Sequence, residues 1–227
     1  SMEETAFYEA LRRRAVEQLS ELDEKSGGKK YLKILAEIMK LRRACCNTVL
    51  VDEEISLPSS KLAMFGEVLR ELLENRHKAL VFSQFVGHLS LIRAYLDEQN
   101  IQYQYLDGST PVKQRKIAVD SFQAGKGDVF LISLRAGGLG LNLTAADYVI
   151  HMDPWWNPAV EDQASDRAHR IGQQRPVTIY RLVAKDTIEE KIAQMHNRKR
   201  DLAEGLLQGS DISGKISGEE LLALITN

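Results

Sequence analysis

The sequence predicts an α/β fold, a parallel sheet with helices on both faces, extended by helical segments at either end. Five short, apolar, β-rich runs carry the prediction: Ala79–Phe85, Gln102–Leu106, Val129–Leu134, Tyr148–Met152 and Val177–Val183. Helix-periodic stretches, Val86–Gln99 and Pro111–Phe122, separate the first three. Continuously apolar strands are those covered on both sides, and helices between them supply the crossovers that parallel pairing requires.

The elements follow in order. Ser1-Met2 reads as the scar of a cleaved tag and is set aside, with the protein expected to extend further on at least one side. From Glu3 to about Leu50 the pattern is helical, first on Phe7, Leu11, Val16 and Leu19, then on Leu32, Leu35, Met39 and the Arg42–Cys46 stretch. Ser26-Gly27-Gly28-Lys29-Lys30 reads as the turn of a helical hairpin. A further helix, with Leu62, Phe65, Leu69 and Leu72 on one face, precedes the first strand. Thr110-Pro111 marks a helix start, Thr as N-cap and Pro at the first helical position. After the last strand, Thr187-Ile188-Glu189-Glu190 reads as a capping box opening a charged helix through about Leu207. A second box, Ser217-Gly218-Glu219-Glu220, opens a short terminal helix. The domain reading is therefore 3–57 helical, 58–186 α/β, and 187–227 helical.

Composition bounds the function. Hydrophobic residues make up 44% of the 227 and charged residues 27%, an ordinary soluble globular balance. No apolar run approaches the roughly 18–20 residues of a membrane span, and no signal peptide is present, so no membrane partner is expected. The net charge of −2 offers phosphates no global attraction, so nucleic-acid binding needs a local basic face. Cys45 and Cys46, adjacent and the only cysteines, make a poor metal site and read as two buried thiols on a helix; no metal site is expected.

Ligands of parallel sheets bind beyond the carboxyl ends of the strands, and three unusual segments fall there. Arg135-Ala136-Gly137-Gly138-Leu139-Gly140-Leu141-Asn142 follows the strand Val129–Leu134; its glycines let backbone N–H groups approach a phosphate, although a purely conformational turn fits as well. The spacing fails the dinucleotide fingerprint, since its third glycine position is Leu143. In Asp162–Gln173, a helical reading puts Gln163, Arg167 and Arg170 on one face with Gly172 as terminator. Paired guanidinium forks there suit a transferring phosphoryl group, or simply complement the helix dipole. Asp153-Pro154-Trp155-Trp156-Asn157-Pro158 places both tryptophans between prolines in a loop, with at least one ring expected to be exposed for stacking or groove insertion, and Trp155 equally suited to plug the sheet end. Gly209–Ile216 fits GxxxxGK but follows a helix rather than a strand, so it reads as a linker, and the chain carries no complete ATP site of its own.

These segments carry a family resemblance. Asp128–Gln173 resembles the fifth and sixth helicase motifs of SWI/SNF-type chromatin-remodelling ATPases of helicase superfamily two. Ala79–Phe85 resembles motif four, and Leu106–Arg115 the block that follows it. The resemblance implies a RecA-like second motor lobe, with an N-terminal helical protrusion leaving a first lobe and a C-terminal helical brace. It departs at Cys45-Cys46-Asn47-Thr48, where the family often has Cys-x-His-Pro. Carried over, Arg167 and Arg170 are candidate arginine fingers. Gln163, Gly138 and Gly140 are candidates for ATP contact, and Ser83, Gln84, Gly108, Ser109, Arg115, Arg135, Gly137 and Trp156 for the DNA path. The implied cofactor is ATP with Mg2+, held mainly by the first lobe. The implied partners are double-stranded DNA, that lobe, and a DNA-bound protein to be displaced. The expected function is ATP-driven duplex translocation without strand separation, the fragment alone being inactive as an ATPase. A strand-separating helicase lobe and a non-catalytic DNA- or protein-binding module are the alternatives. Lacking a nuclear-localisation cluster, the chain is expected in a prokaryotic, nucleoid-associated cytoplasm rather than a nucleus.

Overall fold

The structure, a computed structural model, describes residues 1–21, 27–134, 136, 141–169, 172–205 and 217–226, with backbone alone at 27 and 197–205. The chain divides into two compact units, Ser60–Val183 and the two terminal segments Ser1–Ser59 with Ala184–Asn227.

In the terminal unit, α1 (Met2–Ser20) and α2 (Gly27–Cys46) are joined by α7 (Ile188–Gly205) and α8 (Gly218–Thr226). Tyr8, Ala15 and Leu19 of α1, Ile34, Ile38 and Leu41 of α2, Ile188 and Ile192 of α7, and Leu221, Leu224 and Ile225 of α8 are buried. Gly27-Gly28-Lys29-Lys30, expected as a turn, instead forms the first turn of α2, the helix gaining four residues before its apolar face begins. Helix ends are tied across the unit. The Ile188 N–H, an orphan donor at the start of α7, donates to the Tyr8 hydroxyl at 2.8 Å. At the other end of α8, Arg12 Nη1 donates to Ile225 O at 3.1 Å and Lys191 Nζ to Leu224 O at 2.9 Å, two cations on a helix carboxyl end.

The Thr187 box forms only in part. Thr187 Oγ1 accepts from the Glu189 N–H at 3.2 Å, but Glu190 reaches past it to the Asp186 N–H at 2.8 Å. Asp186 sits at φ 57°, a left-handed position that turns its N–H toward Glu190. The Ser217 box closes reciprocally, Ser217 N–H to Glu220 at 2.7 Å and Glu220 N–H to Ser217 Oγ at 3.1 Å.

The second unit is the α/β body. Its helices are α3 (Ser60–Glu74), α4 (Val86–Glu98), α5 (Val112–Gln123) and α6 (Pro158–Ser165). Its strands are β1 (Ala79–Ser83), β2 (Tyr103–Leu106), β3 (Val129–Ser133), β4 (Tyr148–His151) and β5 (Thr178–Arg181). All four pairings are parallel, in the order β2-β3-β1-β4-β5. The alternation of side chains along each strand feeds two cores. Ala79, Val81, Val129, Leu131 and Ile150 pack with Phe65, Leu69, Leu89 and Ile92 of α3 and α4. Leu80, Phe82, Phe130, Ile132 and Val149 pack with Phe122 of α5 and Ala164 of α6.

The outermost strand departs from expectation. Every residue of β5 is exposed, Ile179 by 39% and Tyr180 by 38%, although its sequence reads as a doubly covered strand. It is an edge strand paired only with β4, which leaves its second edge open to solvent. The chain steps from β1 out to β2, returns to β3, then crosses to β4 on the far side of β1. In open parallel sheets such a reversal is where ligands bind, here at the carboxyl ends of β1, β3 and β4.

Candidate functional site

The carboxyl end of β1 is set by a buried carboxylate from the end of β4. Ser83 Oγ donates to Asp153, whose second oxygen accepts from the Gln84 N–H at 3.1 Å. Ser83 Oγ also accepts from the Phe85 N–H at 3.1 Å. Ser83 and Asp153 are both fully buried, so this hydroxyl shapes the strand end from within and offers nothing to solvent. Beside it, Lys61 Nζ donates to Met152 O at 3.0 Å. A ring nitrogen of His88 lies within 4.8 Å of an Asp153 carboxylate oxygen. Burial, then the charge of Lys61, lowers the His88 pKa to about 3, so the ring is neutral.

The β2–α5 loop is organised by Asp107. Its Oδ1 accepts from the Ser109 N–H at 2.8 Å, Ser109 Oγ at 2.7 Å and the Thr110 N–H at 3.1 Å, and its Oδ2 from the Tyr105 hydroxyl at 2.8 Å. Partial burial works to raise its pKa, but the bonds from Ser109, Tyr105 and Thr110 win and hold it down at about 2. Thr110 is therefore occupied with Asp107 and does not cap α5, whose N-cap is Pro111 without a side-chain bond. Arg115 folds back over the loop, its Nε on Thr110 O at 2.6 Å and Nη2 on Gly108 O at 3.1 Å. Gly108 and Ser109 are left exposed at the tip.

Beyond β4, both tryptophans are half-buried, and Trp155 packs against the core beside α6, the plugging arrangement. Asn157 caps α6 by accepting from the Ala159 N–H at 3.1 Å. The fully buried Glu161 accepts from the Trp155 N–H at 2.8 Å through Oε1 and from Arg181 Nε of β5 at 2.8 Å through Oε2. Gln163 is exposed; Ser165, buried, accepts or donates at 3.0 Å with His151 Nε2. Burial lowers the His151 pKa to about 4; Glu161 works against this, Arg181 with it, Asp162 against it.

The helix expected to reach Gly172 ends at Ser165. After it two amides bond three residues back, Arg167 N to Ala164 O at 3.4 Å and Ala168 N to Ser165 O at 3.0 Å, while Asp166 N and His169 N still bond four back. The carbonyls are diverted, Arg167 O to the Leu143 N–H at 3.1 Å and Ala168 O to Gln173 Nε2 at 3.2 Å. The Gln173 carboxamide also donates to Thr144 O at 3.1 Å and Ala146 O at 2.7 Å, fixing the end of the segment. Arg167 is buried, 3% exposed, with its guanidinium carbon 5.5 Å from the Phe82 ring centre.

Residues 60–172 match the helicase conserved C-terminal domain family. A solved structure, the SWI2/SNF2 ATPase C-terminal domain of Sulfolobus solfataricus, is 30% identical with a TM-score of 0.77, covering 100% of this chain and 94% of that one. The chain belongs to the SWI2/SNF2 ATPase family and is its C-terminal, RecA-like lobe. The Sulfolobus SWI2/SNF2 ATPase core in complex with double-stranded DNA also matches, at 30% identity and TM-score 0.76, over 99% of this chain and 46% of that chain. A Mycoplasma genitalium protein described as an uncharacterized ATP-dependent helicase is 39% identical over 228 residues. The chromatin-remodeling ATPase INO80 of Emericella nidulans is 48% identical over 161 residues. This SWI2/SNF2 lobe spans 22% of the Mycoplasma protein and 10% of the INO80 one.

Gln84, Gly108, Ser109 and Trp156 follow the carboxyl ends of β1, β2 and β4, and Gln163 is exposed on α6, while Ser83, Arg115 and Arg167 are held against the lobe's own backbone or core. Arg135, Gly137, Gly138, Gly140 and Arg170 lie outside the described residues. Sequence reading missed Asp107, Asp153, Glu161, Gln173 and Arg181, which position the loops. Asp107 alone carried a signal, as an Asp opening a Gly-Ser-Thr turn. Among the described residues no helix is long and apolar enough to cross a membrane.

Proposed function

We propose that this lobe is the second half of an ATP-driven translocase acting on double-stranded DNA, and that it completes an ATP site whose phosphate grip lies on a first lobe. The supporting observation is the set of segments that follow the carboxyl ends of the strands. The Gly108–Ser109 tip follows β2, the Trp155–Trp156 loop follows β4, and the exposed Gln163 lies on α6 just after that loop, in a chain similar to a SWI2/SNF2 core solved with duplex DNA.

Gly108, Ser109 and Trp156, with Gln84, Arg135 and Gly137, contact the DNA backbone. Such contacts fix position and carry little sequence information. Gln163, and Gly138 and Gly140 of the motif-five loop, contact the nucleotide. Arg170 reaches toward the γ-phosphate, while Arg167, seated over Phe82, fixes the base from which it reaches. ATP arrives with Mg2+ on the first lobe, and the charge that develops on the transferred phosphoryl group is met by the arginine face. Closure and reopening of the cleft then move the duplex, the closed population set by how much better ATP binds it. Localisation in a prokaryotic cytoplasm, and displacement of a DNA-bound protein, belong to the same proposal.

The test is ATP turnover by the lobe joined to its first lobe, with and without duplex DNA. Duplex-stimulated turnover that Arg170→Ala lowers by about 10³-fold or more supports the reading. Folded, associated lobes without turnover on any nucleic acid would leave a binding module. Efficient unwinding of a plain duplex in a strand-displacement assay would assign the helicase alternative instead, and the lobe alone is expected to show no appreciable turnover.

A further inference from the structure

We propose that Glu161 is a positioning residue of the motor, the joint through which the DNA-side tryptophan loop and the nucleotide-side helix move together. The inference rests on the proposed function for the reaction it serves, but its geometry stands alone. The carboxylate is fully buried, and a buried charge is tolerated only where its oxygens are well matched. One oxygen accepts from the Trp155 N–H at 2.8 Å; the other accepts from Arg181 Nε at 2.8 Å, whose Nη2 lies 3.5 Å from Asp162 Oδ1. Three elements thus meet on one side chain: β5 through Arg181, the loop through the Trp155 amide, and α6 through its own backbone.

The consequence is directional. Glu161 sits two residues before Gln163 on α6, and its main-chain oxygen accepts from Ser165 Oγ at 3.0 Å. From Ser165 the chain enters the segment that carries Arg167. A displacement of the Trp155–Trp156 loop by DNA is therefore passed through a charged, two-sided bond to the residues that face the nucleotide, with no flexible linker between. Loss of the joint leaves both contact surfaces in place and uncouples them.

The experiment uses three variants in the lobe joined to its first lobe: Glu161→Gln, Arg181→Gln and Arg181→Lys. Glu161→Gln is close to isosteric and keeps a carbonyl for the Trp155 amide. Arg181→Gln removes the charge from a partly exposed side chain, and Arg181→Lys restores it. Thermal melting confirms that each variant folds. The two tryptophans, 155 and 156, are the only ones in this lobe, so in a first lobe made tryptophan-free their emission reports on this loop. The expected result is red-shifted emission and a duplex-stimulated kcat lowered about tenfold to a hundredfold in both Gln variants, with KM for ATP changed less than about threefold. Arg181→Lys is expected to recover most of both signals. Wild-type turnover with unchanged kcat in the Gln variants overturns the inference, as does an equal loss in Arg181→Lys. Absence of turnover in the wild type overturns the proposed function itself and, with it, the role of the joint, whatever the emission shows.

Discussion

Two buried histidines make this lobe sensitive to mild acid. His88 and His151, each about 1% exposed, are held neutral, with pKa values lowered to about 3 and about 4 by burial. Lys61 faces the first; Glu161, Arg181 and Asp162 face the second. Above the ordinary histidine value of about 6.5, neither the folded nor the unfolded state takes up these protons, and stability is full. As pH falls from there toward 4, the unfolded chain binds them and the folded one refuses. Stability then drops by about 1 kcal/mol per pH unit for each ring. Urea unfolding at pH 7.5 and at pH 5 measures this, and His88→Leu should flatten the decline. A slope that ignores His88→Leu would remove this account. Asp107 acts in a lower window: its depressed pKa supports the loop above about pH 4, and that support is lost as pH falls through about 2.

Among the elements, the terminal helices depend on side chains of their neighbours for their ends. Tyr8→Phe leaves the Ile188 N–H of α7 without its acceptor and should cost about 1 kcal/mol in thermal or chemical unfolding. Arg12→Met removes the donor at the end of α8 and should lower the melting temperature further when combined with Lys191→Met, since both serve adjacent carbonyls. Element existence was legible in the sequence because strand runs and helical faces have different periods, and the α4 start at Val86 agrees with that pattern. Element ends were less legible. Thr110 reads as a cap for α5, yet Asp107 takes its amide and hydroxyl. The Asp162–Gln173 face reads as one helix, yet Leu143 and Gln173 claim the carbonyls that would have continued it. In both places a partner distant in the fold, or simply a better acceptor, outcompetes the local rule.

For the whole molecule, the family assignment and the parallel sheet were both readable from motif order and strand pattern. The positioning carboxylates were not, because Asp153 and Glu161 acquire meaning only when β1, β4, β5 and α6 come together. A net charge of −2 means that affinity for DNA must come from the local contacts proposed above. Duplex binding by the two-lobe protein is therefore expected to fall linearly in log K with log salt, and to be indifferent to base sequence, as titrations on unrelated duplexes at several salt concentrations would measure. A marked preference for one sequence would argue against backbone contact.

The helical unit is split by the α/β body in the chain, and that order has a price in time. Tyr8 meets Ile188 across 180 positions of sequence. At a ribosomal rate of about 5–20 residues per second, α2 is finished roughly seven to thirty seconds before α7 begins. Through that interval α1 and α2 lack α7 and α8, with which they finally pack. The α/β body is contiguous and can close as it emerges, before the helical unit is complete.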